Sequence, residues 1–272
     1  MINSRILLAA AAVILGGALG ISHFVTSPPA KALHDPSNNR QEIEEIIREY
    51  LLANPEIIIE SVERYSEEAR AEAAAQASVA EEAATRAVKE NFDALTSGDV
   101  GHSFGASREE AEVFFIEFYD YNCGYCRQAT SYVEELIEAE DNVRFVMMEL
   151  PIINPASRDI ALASIAAADI GAFLPLHTTM MEARGLVEIG RLQNYAAAAG
   201  IDYDAINSRL KDSAKRNALE AKLEASIELA RDIGVDGTPG FIIASADGEV
   251  IRIIPGMDKA SIQRAIEDAR QS

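Results

Sequence analysis

The chain holds two cysteines in 272 residues, Cys123 and Cys126, within the stretch FYDYNCGYCRQ (residues 118–128). Thiols separated by two residues fall within one turn of backbone, near enough to interconvert between dithiol and disulfide. As a staple such a bridge would be weak, because closing a two-residue loop removes little chain entropy. A tetrahedral zinc shell needs four ligands, and no second cysteine pair or nearby histidine cluster supplies the rest. The chemistry that fits is thiol–disulfide exchange, which requires one sulfur to ionise near neutral pH.

The flanking residues supply the elements to position that sulfur. Val113 to Tyr119 (VFFIEFY) is an almost continuous apolar run, as in a strand covered on both faces, with Glu117 its one charge. Asp120 to Asn122 then turns the chain, and Cys126 begins a helix through about Glu140, with Val133, Leu136 and Ile137 on one face. Val143 to Leu150 is the next strand, which completes a strand–helix–strand unit with the CxxC at the N-terminus of its helix. There the unpaired amides and the helix dipole favour an anion, so the exposed Cys123 sulfur should ionise below the free-thiol value of about 8.5. Cys126, one turn on, is placed to attack the mixed disulfide formed by Cys123 and release the substrate as a dithiol.

Composition excludes other classes. With 44 acidic against 24 basic residues the formal charge is −20, so there is no basic surface for nucleic acid or anionic lipid, and 49% hydrophobic residues suffice for a core. Residues 1–26 combine a short basic start, Met1 to Arg5, with the apolar run Ile6 to Ile21, the pattern of a secretory signal peptide or a signal anchor. Residues 27–39 read as a linker, with Ala30-Lys31-Ala32 as a small-x-small cleavage candidate. Export places the thiols where disulfides persist.

In residues 40–53, Ile43, Ile46, Ile47, Tyr50 and Leu51 line one face of an amphipathic helix that ends at Asn54-Pro55. A second helix is predicted to run to about Leu95, with a seam that begins at Ile58, Val62 and Tyr65 and fades into alanine. Residues 40–97 therefore read as an arm that pairs between protomers. The competing reading is a solvated Ala/Glu spacer, against which the exposed isoleucines would form an adhesive patch. A loop from Thr96 to Arg108 follows, with His102 expected in solvent. His177 is expected to be a surface or capping residue.

FIEFYDYNCGYCRQ resembles the exported DsbA branch of the thioredoxin superfamily, and the resemblance extends over residues 105–271. It implies an α/β fold, a thioredoxin fold with a helical insertion at about 154–234, preceded by the all-helical N-terminal arm. Within the insertion Ile189 to Ala199 and Ile206 to Ile233 read as helical. The fold resumes with strands Phe241 to Ser245 and Glu249 to Ile254 around an Asp247-Gly248 turn, and ends in a helix from Asp258. The resemblance also implies site roles. Pro239, in Gly237-Thr238-Pro239-Gly240, matches a cis-proline loop that faces the dithiol and offers the backbone of Thr238 to an extended substrate. Glu117, six residues before Cys123, matches a buried acid that exchanges a proton with Cys126 and whose pKa burial raises.

The dipeptide Gly124-Tyr125 replaces the Pro-His of strongly oxidising relatives. A less stabilised thiolate and a less oxidising Cys123–Cys126 couple follow from this, and Gly-Tyr with Thr-Pro is similar to the disulfide isomerases. The arm is similar to that of trimeric ScsC-like relatives associated with copper tolerance and of Com1-like outer-surface proteins. The reading is thus a periplasmic protein, free or tethered by its N-terminus, with isomerase or reductase activity favoured over oxidation and no cofactor. Its expected partners are cysteine-containing exported proteins, a membrane thiol-redox protein, and further copies of itself, as a dimer or trimer through residues 40–95. The alternative is a copper-handling or scaffold protein whose dithiol binds Cu(I), since soft thiolates suit that ion. Met147 and Met148 are adjacent in a strand, face opposite sides and cannot together extend such a site.

Overall fold

The structure, a computed structural model, describes residues 36–272, so the leader, its cleavage candidate and most of the linker lie outside the described residues. The chain divides into two units, Met1–Ala69 and Arg70–Ser272. In the first, helix α1 (Pro36–Ala53) begins inside the stretch read as linker and ends where Asn54 caps the Tyr50 carbonyl with both its backbone and its side-chain amide. Pro55 precedes α2 (Glu56–Glu90), whose N-terminal part completes this unit. Ile46, Tyr50, Val62 and Tyr65 are all more than half exposed, so the apolar seam is uncovered among the described residues. No described helix is long and apolar enough to cross a membrane.

The predicted second helix does not reach Leu95 unbroken. The Asn91 side chain bonds the Ala87 carbonyl, α2 stops at Glu90, and a short helix α3 (Phe92–Thr96) follows. The loop expected over 96–108 contains a strand, β1 (His102–Gly105). His102 is accordingly not in solvent but half-buried, with its ring 4.1 Å from that of Phe173.

Strand β2 (Val113–Tyr119), helix α4 (Gly124–Ala139) and strand β3 (Val143–Glu149) form the expected unit, with β2 and β3 parallel. The insertion comprises α5 (Ser157–Ala168), α6 (Phe173–Met181), a 3-10 turn at Ile189–Arg191, α7 (Leu192–Ala198), α8 (Tyr203–Lys211) and α9 (Ser213–Ile233). The predicted helix over 206–233 is two helices, because Asp212 is extended and its carboxylate caps the Lys215 amide of α9. Gly234, with φ 84, ends α9 in a left-handed conformation that glycine adopts without penalty. Antiparallel strands β4 (Gly240–Ser245) and β5 (Ile251–Pro255) and helix α10 (Lys259–Arg270) complete a sheet of order β1-β3-β2-β4-β5.

All seven residues of β2 are buried, as a central strand requires. Phe114, Ile116 and Phe118 face a core with Leu95, Leu229 and Ile233. On the other face Val113 and Phe115 pack on α4 and α10, whereas Tyr119 meets the insertion. Glu117 shares this second face, beneath the start of α4.

Candidate active site

The turn that carries the dithiol is held from three directions. Asp120 is buried, and its carboxylate accepts the amides of Asn122 and Ile153, both at 2.8 Å, and the Ser157 hydroxyl at 2.7 Å. Asn122 donates to the Val187 carbonyl and accepts the Val187 amide, fastening the turn to the insertion as a strand pair would. Arg127 donates to the carbonyls of Tyr121, Ala183 and Gly185 at 2.9–3.0 Å. A planar guanidinium with several fixed donors suits this task better than a flexible ammonium. From the sequence Asp120 to Asn122 read only as a turn, and Arg127 carried no expectation. Their polarity beside a buried strand was the available signal, but the partners that tie them to the insertion lie 33 to 65 residues away.

Cys123 is the N-cap of α4, with Gly124 and Tyr125 exposed in the first turn. A Cβ at Gly124 would meet nothing within 4 Å, so this edge of the site is open. The Cys123 side chain is not exposed as expected: only 4% of the residue is accessible, because the loop before β4 lies over it. The Thr238–Pro239 peptide bond is cis, and the Cys123 thiol donates to the Thr238 carbonyl at 3.1 Å. The Thr238 hydroxyl is buried with no partner in this thiol state, free to donate once the sulfur ionises.

The Cys123 pKa is lowered to about 5. The largest cause is the hydrogen bond from the Cys126 thiol, which outweighs burial; the Thr238 hydroxyl and the amides of Cys126 and Tyr125 add to it. The amides at the helix end therefore contribute as expected but are not the leading cause. Cys126 is 1% exposed, and burial first, then its bond to Cys123 and the nearby charge of Glu117, hold its proton on. Glu117 is 3% exposed, and burial, then the Cys123 thiolate charge, raise its pKa to about 8. It lines a cavity of about 20 Å³, room for about one water, together with Glu134 and Thr178.

The geometry thus joins Cys123, Cys126, Thr238 and Pro239, with Glu117 beneath the second sulfur. The arrangement supplies one ionised and one protonated sulfur at neutral pH, with a titratable carboxyl close to the latter. His177 is not a surface residue: it is buried, and its Nδ1 lies 3.0 Å from the Tyr121 hydroxyl. Among the described residues no group of three or more His, Cys, Asp or Glu side chains is arranged to hold a metal ion.

A family model described as Thioredoxin matches residues 97–268, and one described as Copper resistance protein ScsC N-terminal domain matches residues 39–74. The chain is similar to the thioredoxin-like oxidoreductase from Silicibacter pomeroyi DSS-3, at 29% identity and TM-score 0.58, over 66% of this chain and 98% of that one. It also resembles alpha-DsbA2 from Wolbachia pipientis, at 22% identity and TM-score 0.60, over 69% of this chain and 96% of the other. A linker-deletion mutant of Proteus mirabilis ScsC aligns over 88% of this chain and 98% of its own, at 21% identity and TM-score 0.58. The last two similarities bear on fold alone. Among curated proteins, Na(+)/H(+) antiporter NhaA 1 of Salinispora arenicola is 32% identical over 136 residues, 49% of this chain. The chain spans about a fifth of the length of that relative.

Proposed function

Since this chain belongs to the thioredoxin family, we propose that it is a thiol:disulfide oxidoreductase acting on cysteines of exported proteins, with isomerisation or reduction favoured over net oxidation. One observation carries the reading: Cys123 caps α4 with its pKa lowered to about 5, while Cys126 beside it stays protonated. The Cys123 thiolate attacks a substrate disulfide, forms the mixed disulfide and expels one substrate thiolate. Either the substrate's own thiols then resolve it, which isomerises, or Cys126 does, which reduces the substrate and oxidises the pair. Cys126 must first lose its proton, and Glu117 in its carboxylate form is the acceptor at hand. A substrate strand lies along the Thr238-Pro239 backbone, with Gly124 and Tyr125 at the open edge.

The export assignment rests on the apolar leader, and assembly rests on the uncovered seam of α1 and α2 in the stretch where the ScsC N-terminal model matches. Both the dimer and the trimer fit that seam. Refolding of a scrambled disulfide substrate tests the activity: the protein restores it and Cys123→Ala does not, while ultraviolet absorbance of the thiolate places the Cys123 midpoint well below that of a free thiol. A midpoint near 8.5 removes the reading. A second reading, Cu(I) capture by the same two sulfurs, is favoured only by the description of the N-terminal match; stoichiometric Cu(I) binding without any disulfide turnover would select it.

A further inference from the structure

A larger cavity, of about 210 Å³, opens between β1, α5 and α9 and shares no lining residue with the dithiol or the Thr238-Pro239 loop. Glu149 and Tyr119 reach it from the sheet, His102 and Phe173 form an aromatic wall, and Asp169 and Lys222 line it from the helices. Enclosed pockets with a few convergent polar groups are where small ligands bind. Glu149 is 5% exposed; the Tyr119 hydroxyl donates to its Oε1, and the nearby hydroxyls of Tyr121 and Ser164, bonded to each other, also favour its charged form. No described lysine or arginine lies within ion-pair distance of it; Lys222 instead pairs with Asp169 at 3.3 Å.

We propose that this cavity binds a small organic cation, with a primary ammonium group seated on the Glu149 carboxylate and its apolar body against Phe173 and His102. The charges around Glu149 explain the preference. Tyr119 and Tyr121 remain neutral, because burial pushes both up, and Asp120 adds a repulsive negative charge. Burial lowers His102 to about 4 and His177 to about 3, so neither supplies a cation at neutral pH. Left without one, Glu149 keeps its proton up to about pH 8. An entering ammonium compensates the carboxylate and displaces that proton to solvent: Glu149–COOH plus R–NH₃⁺ gives the Glu149–COO⁻ and R–NH₃⁺ pair plus one H⁺. An anion would meet the charge of Asp120, with Lys222 already taken up by Asp169, and a neutral molecule forgoes the charge-assisted bond.

The test is calorimetry on the reduced full chain with n-propylamine and its neutral counterpart n-propanol, at pH 7 in two buffers of different ionisation enthalpy. The expected result is that the amine binds at least about tenfold more tightly than the alcohol and that most of one proton is released per amine bound. Glu149→Gln, which keeps an acceptor for Tyr119, loses both the preference and the proton release. Should that variant fold poorly, Ala168→Leu narrows the cavity, leaves the carboxyl in place and removes binding. Cys123→Ala binds the amine like the parent, which separates this site from the dithiol chemistry. Equal affinity for the two probes, no binding of either, binding without proton release, or full affinity in both cavity variants overturns the proposal.

Discussion

The arm and the dithiol unit depart from ordinary burial in opposite directions. Along α1 and the start of α2, isoleucine, valine and tyrosine side chains stand in solvent. In the dithiol unit Glu117, Asp120, Glu149 and His177 are taken out of it. An uncovered apolar seam costs about 25 cal/mol per Å² of apolar surface until something covers it, and any second amphipathic helix will do. A buried carboxyl costs more and is satisfied only by particular partners in particular places. The first kind of departure points to assembly and the second to chemistry.

The largest expected effect lies in the dithiol unit. Cys123→Ala brings disulfide exchange to the uncatalysed background, whereas Cys126→Ser still attacks and accumulates the mixed disulfide, which nonreducing gels and mass spectrometry detect. If Cys126→Ser turned over a reducible substrate at the parental rate, the division of roles between the sulfurs would be lost.

Next comes a pH effect on stability. Unfolded Glu117 ionises near 4.5 and the folded residue holds its proton to about 8, so the folded state loses stability as pH rises through that window. Glu117→Gln removes the loss. Denaturant melts of the reduced protein should show no gain at pH 4 and the largest gain above pH 8, about 5 kcal/mol at ~1.4 kcal/mol per pKa unit. A gain that is the same at every pH would mean that the carboxyl is not titrating inside the fold. The Cys123 thiolate works in the other direction, adding stability to the reduced form as pH rises from about 5, so the oxidised form is the cleaner control.

On the arm, the proposed assembly predicts that the parent scatters light as an oligomer and that Ile43→Asp with Ile46→Asp scatters as a monomer, since each isoleucine contributes about 1.5–3 kcal/mol when covered. Exchange with a small-molecule disulfide should continue unchanged. An unaltered mass would leave the seam a solvated spacer and weaken the preference for isomerase. Smaller again is Asn122→Ala, which cuts the two Val187 bonds and the one to Ser157 at a cost of about 1–3 kcal/mol. Because the turn fixes where Cys123 sits, its ultraviolet midpoint should also rise; a stability loss with no change in midpoint would make Asn122 a structural residue only. Tyr125→Ala, at a side chain 68% exposed, should alter the KM for protein substrates with little effect on melting.

Much of this was readable from local pattern. The run at 113–119 could only be a central strand, and the fold implied by FIEFYDYNCGYCRQ is the one found. The helices of the insertion were readable too, though Asp212 looked like any acid on a helix until its backbone proved extended. The misses at β1 and at the two histidines share one cause. β1 is four residues long and gains its identity from pairing with β3, His102 opposite Met147, which no periodicity within four residues announces. His102 and His177 appeared to be surface residues because their covers, Phe173 and Tyr121, come from elsewhere in the chain.

The amino-acid order alone determined the spacing of the two sulfurs, the helix that begins beside them and the amphipathic seam of the arm, because each depends on neighbours within about one or two turns of backbone. How far the Cys123 sulfur ionises, and what does most to ionise it, is a different matter. The Thr238 carbonyl and hydroxyl over Cys123, the depth of Cys126 and the isolation of Glu117 come from chain segments far apart in sequence. Desolvation and hydrogen bonding to a thiolate depend on what surrounds the atom in space, so only the packed tertiary structure could decide them.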